Sequence, residues 1–335
     1  MTIVSQVKFQ DIGVVVCEQV DVTLPALAAD EVRIEPAFIG VCGSELHVLA
    51  GGHPFAKPPM VTGHEISAVV VEVGSGVTNA RVGDHVVVDP IMACGKCRAC
   101  LSGRFNLCEP PQVAGFRAPG LGRSSHVVPA RNLHLAPKGL AMEILAFAEP
   151  VACAHHCVSR MPVDAREDVL VIGAGTIGLS IVQALRIMGA QKITVVEPEA
   201  RKRELALQMG AHRVVAPGEL AAEERFTGVI DVVAAQATLT EACTKVMAGG
   251  TVICMGVPSG PREIPLPSMQ RFERDLLSSG MYVPSDFDVA IAWLADGSFD
   301  TSKLITDVFP IEQAADAYAR AKQPESIKVL IKFKN

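Results

Sequence analysis

Val169-Leu170-Val171-Ile172-Gly173-Ala174-Gly175-Thr176-Ile177-Gly178 is the stretch on which the fold turns. Four apolar residues, three of them β-branched, predict a buried strand; the glycines predict a tight turn, and the run on to Met188 reads as a helix. A second strand, Ile193-Thr194-Val195-Val196, follows, and Glu197 ends it nineteen residues after Gly178. Strand, glycine turn and helix in this order aim free N–H groups of a helix N-terminus at a pyrophosphate, and an acidic residue after the next strand accepts ribose hydroxyls. The expected dinucleotide site therefore comprises Gly173, Gly175, Thr176, Ile177, Gly178 and Glu197, with Arg201 at its border. A carboxylate at Glu197 repels a 2′-phosphate, so NAD is expected over NADP, a preference that Arg201 and Lys202 soften. Glu197 also reads as a cap for the following helix, a role compatible with the first.

Outward from this stretch the alternation continues. Val229-Ile230-Asp231-Val232-Val233 and Thr251-Val252-Ile253-Cys254-Met255 are two more apolar runs, each beside a helix-like segment, and imply parallel βαβ units over residues 152–283. The first 150 residues differ. Short β-branched runs such as Val14-Val15-Val16, Val69-Val70-Val71 and Val86-Val87-Val88 alternate with turn residues, which predicts an irregular β domain. After Pro284 an amphipathic stretch (Phe287 to Leu294), a short helix (Ala314 to Ala321) and a strand (Ile327 to Ile331) are expected to pack back on it, so that residues 1–151 and 284–335 make one domain.

The 335 residues carry 30 Lys+Arg against 36 Asp+Glu, a net charge of -6, which argues against binding driven by phosphate attraction to nucleic acid. Polar residues interrupt every apolar run well before the ~20 that cross a bilayer. The first residues lack the order of a secretory signal, so a cytoplasmic protein with reduced thiols is expected. Ten cysteines then read as metal ligands, reactive groups or small core residues.

Four of them crowd together as Cys94-x2-Cys97-x2-Cys100-x7-Cys108. Four thiolates suit a closed tetrahedral zinc site of structural role. A second constellation is dispersed: Cys42-Gly43-Ser44-Glu45-Leu46-His47, Gly63-His64-Glu65 and Glu149-Pro150. One thiolate, one imidazole and one or two carboxylates form a mixed set suited to zinc with a position left open. Singly, Cys42 is more often a small core residue, and His47 or His64 a hydrogen-bonded partner.

These motifs, in this order and at these intervals, resemble the zinc-dependent medium-chain alcohol dehydrogenases, in the branch of sorbitol, threonine and sugar-acid dehydrogenases. The resemblance spans the whole chain. It implies a GroES-like irregular β catalytic domain carrying two zincs, a doubly wound Rossmann parallel-sheet domain carrying NAD, and a cleft between them. It further implies that Cys42, His64 and Glu149 ligate the catalytic zinc, that Glu65 stands beside it as an exchangeable ligand, and that Cys94, Cys97, Cys100 and Cys108 hold the structural one. Ser44 and His47 match the relay that carries the alcohol proton to solvent.

The activity so implied is oxidation of a secondary alcohol of a small sugar acid or polyol to the ketone. A threonine or butanediol-type dehydrogenase and a catalytically silent NAD-binding relative are the alternatives. A homodimer or homotetramer joined through the last strands of the Rossmann sheet is expected, with Leu276 to Val283 as that edge. The chain departs from the family in two places. Met281-Tyr282 stands where sorbitol-type enzymes carry Arg-Tyr, and Gly122-Arg123-Ser124-Ser125-His126 replaces a Gly-Phe-Ala-Glu-Tyr type of sequence. Arg123, Arg117 or His53 then holds a substrate carboxylate or hydroxyl, or all three are surface polar residues. His155 and His156, which follow Glu149, are read as structural.

Overall fold

The glycine stretch folds as a strand, Asp168–Ile172, and a helix, Thr176–Ile187, joined by Gly173 to Gly175. This is seen in a computed structural model that describes residues 2–110 and 112–333. The chain forms two units. One takes the chain up to Glu149, Val283–Gly297 and the chain from Leu304; the other takes Pro150–Tyr282 and Ser298–Lys303.

In the second unit six parallel strands lie in the order Arg213–Val215, Lys192–Val196, Asp168–Ile172, Phe226–Asp231, Val246–Cys254, Asp275–Ser278. Numbered within the unit this is 3-2-1-4-5-6, the doubly wound order whose ligand crevice opens where the strand sequence reverses, beside the first strand. Leu170, Ile172, Val196, Val229 and Val252 are buried in its core, as near-continuous apolar runs must be when helices cover both faces. The edge strand is shorter than the sequence suggests. It ends at Ser278, and Met281 sits at φ 55°, in the left-handed region that no strand continues through. Ser298–Lys303, expected in the catalytic domain, belongs here because Gln183 both donates to Asp300 O and accepts from Asp300 N, each at 2.8 Å.

The first unit is built on a seven-stranded sheet: Ile305–Pro310, Lys328–Lys332, Glu31–Gly40, Glu65–Val73, His85–Val88 and Leu133–Ala136 in that order, with His126–Pro129 also paired to Glu31–Gly40. A smaller sheet of Val14–Val22, Thr2–Asp11 and Met60–Val61 completes it. The late segments lie in the β unit, and Ile305–Pro310 is a strand that the sequence does not announce. Phe9, Ile34, Ile39, Ile66, Tyr318, Val329 and Ile331 share one buried core. Strand register brings distant residues together. Gly40 faces Glu65 on one neighbouring strand and Leu330 on the other, so three strands deliver Cys42, Glu65 and Lys328 to one end of the sheet.

Candidate active site and metal centres

Cys42 follows the strand Glu31–Gly40 and caps the helix Gly43–Leu49. His64 is presented by a turn at Gly63, whose φ of 97° and whose missing Cβ, which would lie 2.7 Å from Gly122 N, require glycine. Glu65 opens the next strand and fits because Gly40 opposite has no side chain to strike its carboxylate. The ligand atoms of Cys42, His64 and Glu65 all lie within 4.8 Å of one another. Glu149 falls outside that mutually close set. It sits buried in the first turn of the helix Ala148–Ser159, and its charge acts on Lys328 and on Asp89. Desolvation, with Glu149 adding to it, pushes the buried Asp89 carboxyl up to about 7.

Two neighbours hold this set, and the motifs alone gave them no role. Glu45, fully buried, accepts from Gly63 N at 2.7 Å, from Tyr318 OH at 2.9 Å and from Cys42 N at 3.3 Å. Burial alone would raise its pKa; His64, the Gly63 N–H and Tyr318 outweigh burial and hold it below the ordinary carboxylate value. Lys328, 2% exposed, donates to both Glu65 oxygens at 2.7 and 2.6 Å and to Val41 O at 3.2 Å. A buried lysine and a buried carboxylate are tolerable only as such a pair.

His64 Nδ1 lies 3.4 Å from Glu45 Oε1, off the angle of a hydrogen bond. Burial would depress its pKa, but the Cys42 thiolate and the Glu45 carboxylate outweigh burial and raise it well above 6.5. The pocket thus demands positive charge at the imidazole, which is the demand a divalent cation meets. Thiolate, imidazole and carboxylate at these distances fit zinc.

Ser44 donates its hydroxyl to Cys42 Sγ at 3.1 Å. His47 is exposed three residues further on the same helix, and no hydrogen bond joins the two. His155 Nε2 lies 3.4 Å from Ser159 Oγ within its own helix.

The four clustered sulfurs also lie within 4.8 Å of one another, with Cys94 and Cys100 at 3.9 Å. A tetrahedron of thiolates at ordinary zinc–sulfur length has edges of about 3.8 Å, so these residues fit the metal. Backbone N–H groups of Lys96 and Cys97 pull the Cys94 thiol down to about 6, while burial pushes the Cys100 thiol up to about 12.

In the second unit Gly173 has φ 101°, and a Cβ there would meet Val232 and Val233. A Cβ on Gly178 would run into Gly173 O, whereas around Gly175, the cap of the helix Thr176–Ile187, nothing lies within 4 Å of that position. Two glycines close the turn and the third leaves open space at a helix N-terminus, the cradle a pyrophosphate fills. Glu197 accepts from Ala174 N at 2.7 Å and from Glu199 N at 3.0 Å, tying its carboxylate to the turn and to the start of the next helix. Arg201 is exposed, while Arg203 donates to Glu197 O at 2.7 Å.

The cationic candidates divide. Arg123 donates to Gln6 Oε1 at 2.9 Å, and Gln6 in turn donates to Glu18 at 2.6 Å, so Arg123 is committed to the fold. Arg117 lies over the Phe55 ring, 5.1 Å from its centroid.

Residues 28–138 match the alcohol dehydrogenase GroES-like domain and residues 176–296 the zinc-binding dehydrogenase family. The chain belongs to this family of zinc-binding alcohol dehydrogenases. It is 33% identical to the sorbitol dehydrogenase of Bacillus subtilis over 92% of both chains. It is 32% identical to the 2-dehydro-3-deoxy-L-galactonate 5-dehydrogenase of Pseudoalteromonas atlantica, over 90% of this chain and 92% of that one. The solved structure of the alcohol dehydrogenase RspB from Escherichia coli CFT073, complexed with NADH, superposes with a TM-score of 0.91 at 30% identity, covering 99% of this chain and 100% of that chain.

Proposed function

We propose that this chain is an NAD-linked, zinc-dependent dehydrogenase that oxidises a secondary alcohol of a small sugar acid or polyol to the ketone. The observation that carries the reading is the gathering of Cys42, His64 and Glu65 within 4.8 Å, with the Ser44 hydroxyl on the Cys42 sulfur. Cys42, His64 and Glu149 would hold the catalytic zinc with Glu65 as an exchangeable ligand, and Cys94, Cys97, Cys100 and Cys108 a structural one. Gly173, Gly175, Thr176, Ile177 and Gly178 would seat the pyrophosphate, Glu197 the ribose diol, and Arg201 would border it.

When bound, zinc lowers the pKa of an alcohol hydroxyl while NAD accepts hydride from its carbon, so the alcohol gives up two electrons and two hydrogens and one proton is left over. The rest falls to the chain's own residues. Ser44 takes that proton from the alcohol oxygen, and His47, exposed on the same helix, hands it on to solvent. Glu45 fixes the Gly63 turn that presents His64 and the Cys42 backbone, and Lys328 holds the Glu65 carboxylate in place.

The sorbitol and 2-dehydro-3-deoxy-L-galactonate dehydrogenases support a polyhydroxylated substrate, and the NADH held by RspB supports the cofactor. Among the described residues no helix is long and apolar enough to cross a membrane. The cytoplasm, which keeps two sets of ligand thiols reduced, suits the chain, as does a homodimer or homotetramer joined at the edge strand Asp275–Ser278, where Leu276 is 37% exposed. The test is a panel of hexitols, hexonates, threonine and butanediol with NAD+, read by the absorbance of NADH. Turnover of a hexitol or hexonate is expected; none with any polyhydroxylated alcohol sinks the reading.

A further inference from the structure

We infer that Arg117 and His53 grip a carboxylate several carbons from the reacting alcohol, so that the site takes a sugar acid in preference to the alditol of the same skeleton. The inference rests on the function proposed above and narrows its substrate.

Four rings run outward from a proposed metal ligand. The His64 and Phe116 centroids are 5.0 Å apart; Phe116 and His53 stack at 5.0 Å and 29°; His53 meets Phe55 edge-on at 5.9 Å. Arg117 closes the run, its guanidinium over Phe55. An arginine held over an aromatic ring by its charge still has N–H donors to offer a carboxylate, which it can bind through two parallel hydrogen bonds. Arg117 has no ion pair or side-chain hydrogen bond among the described residues, although it is exposed and free to find one. Phe55, 59% exposed, fills no core and serves as the platform of that cation.

His53 points the same way. Its Nδ1 accepts from Phe55 N at 3.2 Å, which places the ring proton on Nε2 as a donor without a protein partner among the described residues. A neutral hydroxymethyl terminus has no use for a preset guanidinium; a carboxylate does. Arg123, the alternative cation, already gives its Nε–H to Gln6.

The experiment compares galactonate, gluconate and idonate, in both enantiomers, with the corresponding alditols, using the zinc-loaded protein and its Arg117→Gln and Arg117→Lys variants. The parent protein is expected to favour a hexonate. Arg117→Gln is expected to lower the hexonate-to-alditol ratio of kcat/KM by about tenfold to a hundredfold, the worth of a hydrogen bond to a charged group, through KM rather than kcat. Arg117→Lys restores part of it. A ratio that Arg117→Gln leaves unchanged, or a parent protein that oxidises alditols alone, overturns the inference and leaves the dehydrogenase reading standing. If neither class is oxidised the dehydrogenase reading falls, and calorimetric binding of the hexonates to the NADH-bound protein decides this inference by itself. Binding weakened by the same factor in Arg117→Gln supports it, and binding unchanged or absent overturns it.

Discussion

At Glu45 one carboxylate with no access to water takes hydrogen bonds from the Gly63 turn, the Cys42 backbone and Tyr318. Glu45→Gln keeps the shape but turns an amide N–H₂ toward groups that are themselves donors. A loss of about 1–3 kcal/mol in urea unfolding is expected, since a buried group left unsatisfied forfeits its desolvation. Zinc at the Cys42 centre should also dialyse away faster against a chelator, while the four-cysteine centre retains its metal; equal retention at both would refute the role. His126 gives a pH signature. Burial, with the Arg123 charge adding to it, presses its pKa down to about 4 from 6.5. A depressed folded pKa means that its contribution is present above pH 6.5 and is lost as the pH falls toward 4, up to about 3 kcal/mol. His126→Gln should flatten the fall of the unfolding free energy across that window, and a slope equal to the parent's would refute the assignment. The four clustered cysteines stand close in the sequence as in the structure, so residue type and spacing pick them out, whereas the gathering of Cys42, His64 and Glu65 needs the fold. Glu45 and Lys328 were not legible in the sequence, because Tyr318 is 273 residues from Glu45 and Lys328 is 263 from Glu65, and no local pattern encodes such partners.

Among the elements, the strand–turn–helix at Asp168 to Ile187 was readable because strand, glycines and helix all follow from local backbone chemistry. A Cβ on Gly178 has no place beside Gly173 O, so Gly178→Ala must open the turn. NADH affinity, followed by fluorescence titration, is expected to fall at least about tenfold, with the zinc content unchanged. An unaltered affinity would remove the turn from the cofactor site. The loop Cys94 to Cys108 is likewise local. Cys97→Ser leaves three thiolates, and the expected result is a Tm lower by several degrees with turnover retained per folded molecule, because four thiolates fill a tetrahedral site and leave no position for substrate. Loss of turnover without loss of Tm would assign it to the chemistry instead. The strand Ile305–Pro310 escaped the sequence reading because Asp307 interrupts its apolar residues and its stability comes from a parallel partner, Lys328–Lys332.

For the whole molecule, the sheet of the second unit ends on Asp275–Ser278, an unpaired edge bearing apolar side chains, and a second copy placed there would remove both the edge and the exposure. Light scattering at micromolar concentration is expected to give twice or four times the 35.4 kDa of the chain, and a monomer would contradict the proposal. The seven-stranded sheet carries a different consequence, one of timing. It sets Lys328–Lys332 beside Glu31–Gly40, a strand made long before it. A ribosome adding roughly 5–20 residues per second leaves Glu65 without its lysine for about a quarter of a minute to a minute. The four clustered cysteines, separated by at most 14 residues, wait less than about three seconds for one another. The four cysteines of the cluster are therefore together on the nascent chain long before Lys328 reaches Glu65 in the Cys42 centre.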